Sequence, residues 1–151
     1  MERVYTRAVG CCLVLVLFSG TLEAQDLRNY RWENRLVVLL TPDLQDPVFL
    51  RQLAEMQGAA KALKERKGVV LTVTPDGYAT GLDPVKAQDR KPGKQTGAIS
   101  RMDPSDGFRL VLLGLDGGIK LESREFVPAE SLWALIDSMP MRQREMGEKG
   151  K

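Results

Sequence analysis

Two apolar runs separated by one amphipathic segment constrain the fold of this chain most strongly. Residues 36–40 (Leu-Val-Val-Leu-Leu) and 69–74 (Val-Val-Leu-Thr-Val-Thr) are almost unbroken in apolar character, which is typical of strands buried on both faces. Between them, apolar residues recur every three or four positions on one stripe of a helix: Phe49, Leu53, Met56, Ala60 and Leu63. This strand, helix, strand order predicts a parallel pair of strands joined by a right-handed crossover.

The ends of this helix carry the residue types that helix termini prefer. Asp46 can accept hydrogen bonds from the first free amides, and Pro47 suits the first helical position because its missing N–H is not needed there. Gly68 follows the stripe and is expected to end the helix in a left-handed conformation. We therefore predict one helix between Pro47 and Gly68.

A second ordered region begins at residue 108. Residues 108–113 (Phe-Arg-Leu-Val-Leu-Leu) predict a strand, and Asp-Gly-Gly at residues 116–118 supplies a tight hairpin turn. Residues 119–122 alternate between apolar and polar, as on an edge strand. A last helical stripe follows Pro128 and is limited by Pro140; its apolar members are Leu132, Leu135, Ile136 and Met139.

Residues 75–107 interrupt this regular pattern. Nine of these 33 residues are Gly or Pro and ten are charged, so we predict an irregular segment with at most a short helix from Pro84 to about Lys91, capped by Asp83. A segment of this length in a compact domain either lies over a functional edge or is mobile, and we favour mobility.

The order of these elements predicts an α/β fold with a thioredoxin-like central sheet. A parallel β-α-β unit comes first, a β-hairpin and a C-terminal helix come last, and the long irregular segment lies in the middle. A doubly wound, flavodoxin-like domain would need more strand-helix alternation and no terminal hairpin. We expect the domain to span residues 25–140, followed by a polar tail, residues 141–151, that frays.

The first 24 residues have the three zones of a secretory signal peptide: charged residues up to Arg7, an apolar run at residues 8–18, and small residues before Ala24. We expect cleavage after Ala24, with cleavage after Gly20 as the alternative. The apolar run has 11 residues, whereas a spanning helix needs about 20, so an uncleaved anchor is disfavoured. The sequence predicts a secreted or periplasmic protein with no stable membrane anchor after cleavage.

Composition excludes several kinds of chemistry from the mature chain. Both cysteines, Cys11 and Cys12, lie inside the predicted signal peptide, and the chain has no histidine. Ser-His or Cys-His catalysis and zinc sites of imidazole and thiolate are therefore impossible there, and we predict no cofactor and no metal. The 22 Lys and Arg residues nearly balance 20 Asp and Glu residues, which argues against nucleic acid as a partner. An unknown protein or a small molecule remains as the partner, and the oligomeric state stays open.

Three stretches together resemble the P-DUDES family, domain of unknown function 4174. They are residues 29–32 (Asn-Tyr-Arg-Trp) leading into residues 35–42, the hairpin at residues 114–121, and residues 132–144 (Leu-Trp-Ala-Leu-Ile-Asp-Ser-Met-Pro-Met-Arg-Gln-Arg). The resemblance covers nearly the whole mature chain except residues 75–107. It implies a peroxiredoxin-like fold and export, and it supplies no catalytic residues because the family has no agreed enzymatic activity.

The chain departs from the thioredoxin and peroxiredoxin superfamily where that superfamily places its reactive cysteine, at the junction of the first core strand and its helix. Residues 41–49 occupy this junction and contain no sulfur nucleophile. Thr41, Asp43 and Asp46 are the polar candidates here for contact with a ligand, such as a small cation or an amine, or with a partner. The alternative, which we favour, assigns Asp43 to a turn and Asp46 to a helix cap.

Arg142 and Arg144 form a second candidate site, because two guanidinium groups beside methionines can clamp a carboxylate or a phosphate. The alternative is a solvated helix end whose cations complement the helix dipole. Tyr30 and Trp32 are expected to cover the edge of the sheet, with a binding role as the alternative. Residues 103–107 (Asp-Pro-Ser-Asp-Gly) predict a turn rather than a calcium site, since the EF-hand spacing is missing.

These observations favour an exported, non-catalytic thioredoxin-like domain that acts in protein interaction or ligand binding. The alternative is a cysteine-independent oxidoreductase-like or peroxide-stress protein, which rests on superfamily analogy alone. The sequence leaves enzymatic activity open, although the missing nucleophiles argue against it.

Overall fold

A five-stranded mixed sheet forms the centre of the protein in the computed structural model, which describes residues 27–84, Lys91 and residues 97–150. The strands are β1 (Arg35–Leu40), β2 (Gly68–Thr74), β3 (Gly77–Thr80), β4 (Arg109–Leu113) and β5 (Ile119–Ser123). Their order across the sheet is β3-β2-β1-β4-β5. The β1–β2 pair is parallel, and the other neighbours are antiparallel. The predicted α/β fold, with a parallel β-α-β unit followed by a hairpin and C-terminal helix, is confirmed.

The crossover between β1 and β2 consists of two helices, α1 (Pro47–Gly58) and α2 (Ala60–Glu65), rather than the single helix predicted. Asp46 caps α1 and Pro47 occupies its first turn, as predicted. The prediction for Gly68 is wrong. Lys67 adopts the left-handed conformation, with φ of 53°, and Gly68 is already the first residue of β2.

The two faces of the sheet are covered by different kinds of element. On one face, Val37 and Leu39 of β1 pack into a core that includes the buried side chains of α1, α2 and α3 (Ala129–Asp137). On the other face, Leu36, Val38 and Leu40 pack against short turns, which contribute Leu27 and Ile99. These turns are the 3-10 segments Leu27–Tyr30 and Gly97–Ile99, so the second face of the described structure is the more thinly covered one.

The hairpin that joins β4 to β5 turns where predicted. Gly117 has φ of 77°, and the amide of Gly114 donates to the carbonyl of Gly118 over 2.9 Å. After α3, Pro140 begins a further helix, α4 (Pro140–Lys149). The expectation that residues 141–151 fray is therefore wrong for the described part of that tail, because the side chain of Arg142 is buried against the domain.

The irregular segment at residues 75–107 contains one strand that was not predicted. Strand β3 pairs with β2, and Lys91 forms an isolated bridge with Tyr78. Most of the helix predicted from Pro84 to Lys91 lies outside the described residues, as does the predicted signal peptide at residues 1–24. Within residues 27–84, 91 and 97–150, no helix is long and apolar enough to cross a membrane.

Candidate functional site

Thr41 continues β1 into the strand-to-helix junction and is held by backbone groups. Its amide donates to the carbonyl of Val73 over 3.0 Å, which extends the parallel ladder by one residue. Its hydroxyl donates to the carbonyl of Asp43 over 2.7 Å and accepts the amide of Asp43 over 3.2 Å. The side chain is fully buried, so it stabilises the turn and is closed to an incoming ligand.

Asp43 and Asp46 form hydrogen bonds that serve the local backbone. Oδ1 of Asp43 accepts the amide of Gln45 over 2.8 Å. Oδ1 of Asp46 accepts the amides of Val48 and Phe49 over 2.8 and 2.9 Å. Both geometries match the turn and cap assignments, because each carboxylate satisfies amides that a new turn or helix leaves free.

A depression of about 400 Å³ lies at the same edge of the sheet, beside the carboxyl ends of β1 and β2. We call it the strand-end groove and define it by six of its lining residues: Leu40, Val73, Ile99, Ser100, Arg101 and Ser105. Neither Asp43 nor Asp46 lines it. Ligands in open α/β sheets bind in the crevice outside the carboxyl ends of the strands, which makes this groove the best candidate site.

The segment that forms the outer wall of the groove is anchored at both ends. Ile99 is 1% exposed and belongs to the core on the second face of the sheet. Further along, Asp103 caps the 3-10 turn Pro104–Asp106, and its Oδ1 accepts the amide of Ser105 over 2.8 Å. Residues 103–107 thus form a turn, as predicted, and that turn positions Ser105 at the rim.

The groove combines an apolar floor with a polar rim. Leu40, Val73 and Ile99 supply the buried apolar side chains, whereas Ser100, Arg101 and Asp103 are exposed at the rim. The carboxylate of Asp103 accepts the amide of Ser105 and so serves the turn, which leaves Arg101 as the cation of the rim. No carboxylate of the described residues pairs with the guanidinium of Arg101. Such a site can take an amphipathic ligand, with an apolar part on the floor and an acidic or hydrogen-bonding part at the rim.

The structure does not bring Arg142 and Arg144 together as a clamp. Arg142 is 7% exposed and faces inwards, where its Nε donates to Oδ1 of Asp137 over 3.1 Å and its Nη1 donates to the carbonyl of Glu65 over 3.1 Å. Arg144 is exposed on the opposite part of α4. The candidate guanidinium pair therefore divides into one structural arginine and one surface arginine.

Arg142 belongs to a cluster of ion pairs that we call the arginine cluster: Arg35, Arg66, Asp137, Arg142 and Glu145. Burial alone would raise the pKa of Asp137, but hydrogen bonds from Arg66 and Arg142 lower it below its usual value. Burial would likewise raise the pKa of Glu145, and the nearby Arg35 lowers it. Both carboxylates are therefore stabilised in their charged form.

Sequence reasoning missed Arg35, Ser100, Arg101 and Ser105. Arg35 is 1% exposed although it opens β1, and its only sequence signal was its position directly before an unbroken apolar run. The three groove residues fall in the segment whose position over a functional edge was the disfavoured alternative. Their placement depends on the packing of Ile99 into the core on the second face of the sheet. This contact joins distant parts of the chain, so no local sequence pattern reveals it.

The described residues lack a group of three or more acidic side chains arranged to hold a metal ion. The sequence profile of a family described as Domain of unknown function (DUF4174) matches residues 26–145. This span covers most of the chain, so the protein belongs to that family. None of the curated proteins compared with the chain matches it.

Proposed function

We propose that this member of the DUF4174 family is an exported, non-catalytic binding domain and that the strand-end groove is its contact surface. The observation that carries the proposal is the position of the groove at the carboxyl ends of β1 and β2, with an apolar floor and the cationic rim residue Arg101. This edge is where α/β sheets bind ligands. Export is proposed from the three zones of the first 24 residues.

Binding is better supported than catalysis because the polar residues of the strand-to-helix junction, Thr41, Asp43 and Asp46, have structural roles. The chain from residue 25 onward has neither cysteine nor histidine, and Asp43 and Asp46 hold the turn and the helix cap. The alternative function, a cysteine-independent oxidoreductase, stays a prediction, and none of these hydrogen bonds supports it. Peroxide consumption by a clean preparation of residues 25–151, measured with and without added metal ions, tests it directly.

The composition of the groove indicates the class of ligand. An apolar floor fits a hydrocarbon chain or an apolar side chain, and the guanidinium of Arg101 fits a carboxylate. We therefore propose an amphipathic acid, either a small molecule or the end of a peptide with an apolar residue.

Octanoate is a suitable first probe, with octylammonium as its counterpart of opposite charge. We expect octanoate to shift the amide NMR signals of residues 99–105 in a saturable way, with a dissociation constant in the millimolar range. Octylammonium should bind more weakly. A tryptophan at position 105 should fill the rim, so Ser105→Trp should abolish the shifts.

Ser131→Trp is the matched control, because Ser131 is an exposed serine on α3, away from the groove. This variant should bind octanoate as the unmodified chain does. Equal binding of octanoate by the Ser105→Trp variant would overturn the groove as the site. Equal binding of the two probes would overturn the assigned role of Arg101.

The export part of the proposal has its own test. Residues 1–26 fused to a reporter enzyme that is active only outside the cytoplasm should give activity, and replacing Leu15 by Arg should remove it because a charge interrupts the apolar run. Reporter activity that survives this replacement would argue against a signal peptide.

A further inference from the structure

Trp32 has a backbone conformation that its residue type disfavours. Its φ is 68°, in the left-handed region, where a bulky side chain costs about 1–2 kcal/mol relative to the right-handed one. The chain fixes this geometry, since the amide of Trp32 donates to the carbonyl of Leu115 over 2.6 Å and the amide of Asn34 donates to the carbonyl of Tyr30 over 2.8 Å. Glycine would adopt the same conformation without strain.

The packing of the Trp32 side chain does not offset this strain. That side chain is 56% exposed, whereas Tyr30 in the same turn packs against the second core. Of the two residues expected to cover the sheet edge, Tyr30 packs against the sheet, whereas more than half of the Trp32 side chain is exposed. A strained, exposed aromatic residue has no evident role in folding, and such backbone strain is concentrated at binding and catalytic sites.

A cation lies over this indole, and a shallow depression, which Trp32 itself does not line, lies beside that cation. The guanidinium carbon of Arg31 is 5.4 Å from the centre of the Trp32 ring. The stem of Arg31 lies beside Gly117 at ordinary van der Waals distance, since a Cβ atom on that glycine would lie 3.7 Å from it. The adjoining depression has a volume of about 300 Å³, and Arg31, Asn34 and Gly117 contribute to its lining.

Charge at this place favours an anion. Asp116 also lines the depression, but its carboxylate accepts Nζ of Lys120 over 2.7 Å and the amide of Gly118 over 3.0 Å. The carboxylate is thus neutralised within the hairpin, while the guanidinium of Arg31 lies against the ring without a carboxylate partner among the described residues. An exposed indole can stack on a ring of a ligand, and a planar guanidinium beside it can pair with an acidic group on that ring.

We propose that Trp32 and Arg31 form a binding site for a ring-bearing acid, which we call the indole site. The ring of the ligand stacks on the exposed face of Trp32, and its acidic group pairs with Arg31. The site lies at the amino end of β1 and the carboxyl end of β4, so it is separate from the strand-end groove. An aromatic acid and a sugar acid share this chemistry.

Fluorescence can isolate the site because the chain has only two tryptophans, Trp32 and Trp133. In a Trp133→Phe background, the emission reports Trp32 alone. Benzoate and glucuronate are the acidic probes, and benzamide and glucose are their neutral counterparts. We expect at least one acid to change the emission saturably in the millimolar range, with its neutral counterpart at least fivefold weaker.

Arg31→Gln should weaken that binding at least fivefold. Arg51→Gln is the matched control, since Arg51 also lies over an aromatic ring, that of Phe126, at 3.9 Å from the ring centre, and it should leave binding unchanged. A response to benzoate alone identifies an aromatic acid, and a response to glucuronate alone identifies a sugar acid. No saturable response to either acid, or equal binding of acids and neutral probes, overturns the proposal.

Trp32→Gly separates binding from folding. Because glycine relieves the positive φ, this variant should unfold at the same temperature as the unmodified chain or at a higher one. Its hairpin amides, residues 114–118, should lose the NMR shifts that the acidic probe produces in the unmodified chain. A melting temperature several degrees lower would show that the indole stabilises the fold, and retained shifts would show that it is not the platform; either result contradicts the proposal.

Discussion

Lys67 has φ of 53° while the next residue, Gly68, begins β2. A glycine after a helix usually takes the left-handed position itself because it lacks a Cβ atom. Here the missing Cβ serves a different purpose, since a Cβ on Gly68 would overlap Cδ1 of Leu63 and lie 3.0 Å from the carbonyl oxygen of Leu63. Gly68 therefore allows α2 to pack closely on the start of β2.

Gly68→Ala should destabilise the protein by about 1–3 kcal/mol, because the buried Leu63 must leave its position or the strand must move. Urea denaturation followed by circular dichroism measures the change. Gly58→Ala is the control: a Cβ there meets no atom within 4 Å, and alanine stabilises helical residues by about 0.5–1 kcal/mol relative to glycine. A loss of stability in both variants would contradict the packing argument.

Gln52 is a fully buried polar residue in α1. Its side chain fixes the chain before α3, since Nε2 donates to the carbonyl of Val127 over 2.9 Å and Oε1 accepts the amide of Val127 over 2.7 Å. Replacing it by leucine would leave both backbone groups without their partner.

We expect Gln52→Leu to lower the free energy of unfolding by about 2–3 kcal/mol, the usual cost of leaving buried polar groups unsatisfied. Gln57→Leu is the comparison variant. Gln57 also donates to a carbonyl, that of Leu82, but it is exposed, so water can replace it and the change should stay within about 0.5 kcal/mol. Chemical denaturation of the two variants side by side measures both losses of unfolding free energy. Similar losses would contradict the role assigned to the buried hydrogen bonds of Gln52.

At the scale of elements, the sequence predicted the strands whose burial shows in their own run of apolar residues. Strands β1 and β2 are buried along most of their length, so their apolar runs identify them. Strand β3 has only four residues, Gly-Tyr-Ala-Thr, and no pattern of its own. It forms because it can pair with the free edge of β2. This pairing depends on the position of β2 in the fold, so the residues of β3 alone do not predict it.

Helix α4 was missed for a related reason. Its residues are mostly polar, so no apolar stripe marks it. It docks through the arginine cluster, in which Arg142 bonds to Asp137 and to the carbonyl of Glu65, and these partners lie on α3 and α2. Ionic docking of this kind leaves no periodic signal, because it depends on single residues brought together by the fold.

Arg142→Ala should therefore release α4, with a loss of about 2–4 kcal/mol, since it leaves Asp137 and Glu145 without one of their cationic partners. Arg144→Ala removes the same kind of side chain two residues away from an exposed position and should change stability by less than about 0.5 kcal/mol. Hydrogen exchange of the α4 amides should accelerate in the Arg142 variant alone. Equal effects of the two replacements would contradict the docking role.

At the scale of the whole molecule, the sheet has one face covered by helices and one covered by turns. The strand-end groove lies where residues 99–105 meet the second face, whereas the predicted residues Asp43 and Asp46 stabilise the turn and the start of α1. The residues predicted from the sequence and the groove thus lie at the same edge of the sheet. The sequence could not give the lining residues, because these come from a segment without a regular pattern.

The arginine cluster also joins distant parts of the molecule, from the start of β1 to the last helix, so its charge state should affect global stability. Asp137 and Glu145 have pKa values below their usual range, since their arginine partners outweigh the effect of burial. Groups with lowered pKa values stabilise the folded state at pH values above their pKa in the unfolded chain, about 4. That stabilisation is lost as the pH falls through the lower pKa of the folded state. The protein should therefore lose stability below about pH 4, beyond the loss expected from its exposed carboxylates.

Glu145→Gln tests this account as a thermodynamic cycle. At neutral pH the variant lacks the negative charge that faces Arg35 and Arg142, so it should be less stable than the unmodified chain. As the pH falls through the lowered pKa of Glu145, the glutamate itself becomes protonated, and the difference in unfolding free energy between the two proteins should shrink. Asp116→Asn removes the carboxylate of a more exposed ion pair with Lys120. The hydrogen bond from Lys120 also lowers the pKa of Asp116, so this difference should shrink towards low pH as well, but from a smaller value at neutral pH because exposed pairs contribute little. Urea denaturation at several pH values gives these differences, and a constant gap for Glu145→Gln across the whole range would rule out a contribution of this carboxylate to the acid sensitivity of the fold.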